Sequence, residues 1–170
     1  MENIEFESFD NIENDDSGRL YEMGKNYYDS GSDILAEKYL KEAAKGGNRK
    51  AFLLLADIYL KYDKLNLAEK YLKKIADGGD FELQDKLGTV YKRKSNFELA
   101  EYYYKQAISN GNQRAHYHLG KLYYLFKKKN LAIDYLKPVA DERDQEAQVL
   151  LAKIYYDNGQ VDLAEEYLHK

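Results

Sequence analysis

Three histidines, at 116, 118 and 169, are the residues that could hold a metal or move a proton. His116 and His118 are two apart, which puts them on different faces of a helix, so they do not form a metal pair. A helical metal site needs the i, i+4 spacing that is missing here. The chain has no Cys. That removes disulfides, thiolate ligands and thiol catalysis. No glycine-rich phosphate loop, nucleophile elbow or Asp-rich calcium loop occurs. The expectation is a non-enzymatic chain with no cofactor and no metal. What remains is non-covalent chemistry. The chain has 18 Tyr and 26 Lys and Arg, and a phenol joins a large apolar ring to one polar handle.

The elements that place these residues recur at a fixed interval. Leu67-Ala68-Glu69-Lys70-Tyr71-Leu72 has counterparts at Leu35–Leu40, Leu99–Tyr104, Leu131–Leu136 and Leu163–Leu168. Its alanines stand at 36, 68, 100, 132 and 164, a constant step of 32 residues. Such a period marks a solenoid. Upstream of each copy a small residue precedes a Tyr by three: Gly24 and Tyr27, Ala56 and Tyr59, Gly88 and Tyr91, Gly120 and Tyr123, Ala152 and Tyr155. That is helical spacing, so each pair shares one face. The small residue admits the paired helix closely, and the Tyr fills the space beside it. Ten tyrosines belong to these two ladders and are read as core, with their hydroxyls reaching the surface.

Between units the chain reads Gly46-Gly47-Asn48, Gly78-Gly79-Asp80, Asn110-Gly111-Asn112 and Glu142-Arg143-Asp144. Gly can take the left-handed turn that ends a helix, and Asn or Asp can cap the next one. The fourth joint lacks Gly, and its helix contains Pro138, the only Pro. Pro138 removes a bond to Asp134, so a kink is expected there, with a bend between units four and five. Turns inside a unit are short, as in Asp29–Asp33, which forces antiparallel neighbours.

This order of residues resembles tetratricopeptide repeats, and the joint Lys41–Asn48 resembles the ending of Sel-one-like repeats. The early Trp and the terminal Pro of the first family are missing, as is the longer internal turn of the second. The resemblance covers residues 17–170, as units 17–48, 49–80, 81–112, 113–144 and 145–170. It implies an all-α fold, an α-solenoid built as a right-handed superhelix of stacked antiparallel αα-hairpins. It also implies a protein-protein interaction scaffold, with the first helix of each hairpin lining a concave groove.

Charge is uneven. The net value is −4, yet Glu2, Glu5, Glu7, Asp10, Glu13, Asp15 and Asp16 all fall within the first 16 residues, which hold no Lys or Arg. Residues 1–16 are read as a flexible acidic tail. The mildly basic remainder is too weakly charged to argue for nucleic acid. No apolar run reaches membrane-spanning length. The acidic N-terminus is unlike a secretory leader, so a cytoplasmic location is the default.

On the groove that the resemblance implies, the richest cluster is Arg114, Tyr117, Lys121, Tyr124, Lys153 and Tyr156, with Tyr28 and Lys92 at matching positions. Aromatic and basic residues together suit recognition of an acidic peptide with apolar anchors. The competing reading is that these tyrosines pack between hairpins. Some tetratricopeptide proteins clamp a C-terminal carboxylate. At the matching positions this chain has Leu53, Asp57, Lys86, Arg114 and His118, which disfavours that clamp. Two alternatives stand beside the scaffold. One is a self-assembling module or fragment, a homodimer covering Leu163, Ala164, Tyr167 and Leu168. The other is an adaptor autoinhibited by residues 1–16.

Overall fold

The computed structural model describes residues 10–75 and 80–169, with side chains from Asp16 onward. Residues 1–9, 76–79 (which include Gly78 and Gly79 of the second joint) and 170 lie outside them. Among the described residues there are ten α-helices and no strand. They are α1 (Asp10–Asp29), α2 (Asp33–Lys45), α3 (Arg49–Lys61), α4 (Leu65–Lys73), α5 (Phe81–Arg93), α6 (Phe97–Ser109), α7 (Gln113–Leu125), α8 (Lys129–Asp141), α9 (Gln145–Asp157) and α10 (Val161–Leu168). Odd and even helices pair as hairpins. None of these helices is long and apolar enough to cross a membrane. The helix α1 begins inside the segment read as a tail and runs for 20 residues.

The helices start where the joints supply an acceptor. Asn48 accepts from the backbone N–H of Ala51, Asp80 from Glu82 and Leu83, Asn112 from Ala115, and Asp144 from Ala147. Each such cap contributes about 1 kcal/mol. Inside the hairpins the turn residue is left-handed every 32 positions: Gly31 at φ 78°, Asp63 at 55°, Ser95 at 58°, Lys127 at 57° and Gly159 at 74°. Only the first and last are Gly, so geometry and not composition carries the turn. Arg143 likewise adopts φ 70° at the joint without Gly. Pro138 sits inside α8, which continues to Asp141 without a break.

The chain forms two compact units, residues 1–75 with α1 to α4 and residues 76–170 with α5 to α10. In the first, Gly24 faces Leu40, and a Cβ there would lie 2.7 Å from the Leu40 side chain. Tyr27 stacks on Tyr39 at 5.4 Å and Tyr59 meets Tyr71 at 5.4 Å, one pair per hairpin. Tyr59 donates its hydroxyl to Glu37 at 3.0 Å, tying the second hairpin to the first. Burial and that carboxylate push the Tyr59 phenol well above its ordinary pKa. Lys41 first, then Tyr59, hold Glu37 below the usual carboxylate range.

The second unit repeats this plan. Gly88 faces Tyr104 and Gly120 faces Leu136. Tyr91 pairs with Tyr103, Tyr123 with Tyr135 and Tyr155 with Tyr167. Tyr123 donates to Glu101 at 2.9 Å and Tyr167 to Asp141 at 3.0 Å, again across hairpins. The core is the repeated set itself: Ala100, Tyr104, Ala132, Leu136, Leu119 and Leu151 are all 0% exposed.

Candidate functional site

The site lies in the second unit, on the helices that open each hairpin. Three stripes share one spacing: Glu82, Asp85, Thr89 and Lys92 on α5; Arg114, Tyr117, Lys121 and Tyr124 on α7; Glu146, Val149, Lys153 and Tyr156 on α9. Each residue has its counterpart 32 positions on, so the stripes face the same way. Neighbouring helices α5 and α7, and α7 and α9, touch.

Polar cross-links register these stripes. His118 and Asp85 share a 2.6 Å hydrogen bond between α7 and α5. Arg114 donates to Glu146 at 3.4 Å between α7 and α9, but both side chains are mostly exposed. Such a pair contributes little. Lys153 lies over the Tyr124 ring at 5.6 Å. Lys121 lies over the Tyr117 ring at 5.3 Å and donates to its hydroxyl at 3.1 Å.

Two shallow grooves result. The first, about 430 Å³, is lined by Tyr117, Lys121, Gln145, Glu146, Val149, Leu150 and Lys153. Its apolar part is Val149, 60% exposed, and the Tyr117 ring. Its rim is two lysines against one glutamate. The second groove, about 390 Å³, runs between α9 and α10 and includes Tyr156, Val161 and Leu168. Val149 and Lys153 line both. A third cation stands beside them on α5. The Lys92 ammonium is held below its ordinary pKa, first by burial and then by Lys121 and Arg93.

The six residues of the sequence cluster are therefore not equivalent. Tyr117 is 7% exposed. Its ring floors the groove, close to the packing role that sequence left open. Tyr124 is half-buried under Lys153. Lys121 and Lys153 are the exposed cations of the groove, and Arg114 is exposed and paired with Glu146. Tyr156, 67% exposed, belongs to the second groove. Lys92 is half-buried on α5, and Tyr28 is half-buried on α1 in the other unit. The acid on the rim, Glu146, lies outside the six-residue cluster singled out from sequence, though it shares the inner-face row of Arg114. Its pairing with Arg114 follows from their 32-residue offset.

Among the described residues no group of three His, Asp or Glu could hold a metal ion. Residues 145–170, the last hairpin, match the model of the tetratricopeptide repeat. That hairpin is similar to a tetratricopeptide repeat. No curated protein matches the chain in sequence. Solved structures match most of it in fold. The Pseudomonas aeruginosa pilF structure aligns at TM-score 0.81 and 17% identity, covering 91% of this chain and 74% of that one. A Sel1 repeat protein from Oxalobacter formigenes aligns at TM-score 0.67 and 22% identity, covering 95% and 74%. A chain of the APC/C hetero-tetramer Cut9–Hcn1 aligns at TM-score 0.75 and 20% identity over 90% of this chain. The present chain spans only 32% of that one. At these identities the likeness establishes the tetratricopeptide-type α-solenoid fold and nothing finer.

Proposed function

We propose that the chain is a non-enzymatic adaptor that holds a short acidic peptide with an apolar anchor in the groove between α7 and α9. The observation that carries this is the pairing of Val149 and the Tyr117 ring with two exposed cations, Lys121 and Lys153, on one wall-to-wall surface. An apolar anchor covers the first two, and carboxylates meet the second two. The helices already hold these groups in register, so little ordering accompanies binding. Tetratricopeptide-type folds commonly serve as interaction scaffolds, which agrees with this reading.

The test is fluorescence anisotropy with labelled peptides that pair one Leu or Phe with acidic, neutral or basic flanks. Acidic peptides are expected to bind, with affinity falling as salt rises. Lys121→Glu with Lys153→Glu should weaken them by more than tenfold while far-UV circular dichroism is unchanged. Equal binding of acidic and basic peptides would sink the assignment.

A further inference from the structure

The hairpin turns of the second unit carry a pattern that packing does not call for. Leu125 ends α7 and Phe126 is its C-cap, and they are 61% and 43% exposed. The residues 32 positions before them are Arg93 and Lys94, and those 32 positions after are Asp157 and Asn158. A pair of exposed places that is polar in both neighbouring hairpins is therefore apolar in this one.

Three lysines follow at once. Lys127 is exposed and holds the left-handed turn at φ 57°. Gly31 and Gly159 stand at the same place in other hairpins, and Gly takes such a φ without strain. Lys128 is the N-cap of α8 and makes no cap with its side chain, whereas Asn96 at the matching place accepts from Leu99. A cap of that kind contributes about 1 kcal/mol. Both positions thus give up local stability and gain a cation. Lys128 lies over the Tyr123 ring at 5.7 Å, and Lys129 donates to the Asn158 side chain at 2.7 Å, a neutral acceptor.

The neighbouring turn adds Lys92, Arg93 and Lys94. Phe97 beside it meets Phe126 edge-on with ring centroids 4.6 Å apart, so the two turns touch. Six cations therefore crowd two adjoining turns. The acids of this edge are Glu98, Asp157 and Glu101, and Glu101 is already held by Lys105 and Tyr123. The whole chain carries −4, so the local excess is hidden in the average.

We propose that these two turns form a docking edge for an anionic lipid surface, with the cations at the headgroups and Leu125 and Phe126 set into the acyl boundary. A cluster of Lys and Arg is drawn to such a surface at short range. Apolar residues beside the cations add buried area there. An RNA strand would meet the lysines but leave Leu125 in water, so the apolar tip favours lipid. None of these residues lines the groove between α7 and α9, so the lipid edge and the peptide groove use different side chains.

Co-sedimentation with phosphatidylcholine vesicles, with and without phosphatidylserine, tests this on the whole chain. Binding is expected only where phosphatidylserine is present, and should fall as salt rises. Lys127→Gly with Lys128→Asn installs the residue types of Gly31 and Asn96 at the matching places, so thermal stability should not fall. Binding should weaken about thirtyfold, since each cation near the surface contributes about a factor of five. The chain has no Trp, so Leu125→Trp supplies a single fluorophore. Its emission should shift to the blue on phosphatidylserine vesicles and stay unshifted on an RNA oligonucleotide. The proposal is overturned by a wild type that ignores phosphatidylserine at low salt, or by binding that the lysine variant leaves unchanged. An unshifted emission on bound vesicles overturns it too. Tighter binding to the RNA oligonucleotide than to the vesicles would reassign the edge to nucleic acid.

Discussion

Gly88→Ala probes how closely the hairpins of this fold are drawn. A Cβ at Gly88 would lie 2.5 and 2.6 Å from two ring carbons of Tyr104. The ring cannot step aside. Tyr104 is 0% exposed, its hydroxyl is bonded to Thr89 at 3.2 Å, and His118 packs against it at 5.5 Å. Overpacking of this kind costs about 1–3 kcal/mol, and a fixed ring puts it toward the top of that range. Ala exceeds Gly in a helix interior by about 1 kcal/mol, which offsets part of it. The expected net loss is about 2 kcal/mol. Gly24→Ala and Gly120→Ala meet leucine side chains, which have more freedom to shift, so their loss should be smaller. Gly18→Ala meets nothing within 4 Å and should stabilise by the propensity gain alone, about 1 kcal/mol. Urea denaturation followed by circular dichroism ranks the four variants. A Gly88→Ala chain as stable as wild type would refute the close-contact account. So would a Gly18→Ala chain less stable than Gly88→Ala.

Arg143→Gly should stabilise the second unit by about 0.5–1 kcal/mol in the same assay, because φ 70° strains any residue with a Cβ. Acidification should destabilise the chain through Glu37 and Glu101. Their carboxyls are held below the ordinary range chiefly by Lys41 and Lys105, then by Tyr59 and Tyr123. A depressed folded-state pKa contributes stability that is complete above the unfolded value and lost as pH falls through the folded one. Glu37→Gln with Glu101→Gln should therefore flatten the acid limb of a urea-midpoint profile against pH.

Much of this architecture was open to reading from sequence because packing repeats. The 32-residue step placed the ten helices, and Asn48, Asp80, Asn112 and Asp144 could be recognised as caps by type and place. The small residues 24, 88 and 120 announced close contacts because each recurs in register, one helical turn before a Tyr. Three things were hidden. Asp63, Ser95 and Lys127 hold the same left-handed turn as Gly31 and Gly159, so the turn comes from the register and not from a residue type. The link from Tyr59 to Glu37 joins residues 22 apart on different hairpins. That offset is visible only once the stacking is known. The site was the least legible part. A stripe of alternating Tyr and Lys looks the same whether the ring faces out or, as with Tyr117, lies on the groove floor with Lys121 over it.

The tyrosine pairs have a use beyond packing. The chain contains no Trp, and each hairpin holds one face-to-face or tilted pair of phenols with centroids between 5.4 and 5.8 Å. Two chromophores that close couple their electronic transitions, so each of these five pairs adds a local reading to the near-ultraviolet dichroism of the chain. Replacing Tyr39, Tyr71, Tyr103, Tyr135 or Tyr167 with Phe one at a time would subtract one reading. The molecule thus carries an optical mark in every hairpin, and the order in which the hairpins come apart can be watched without attaching a label.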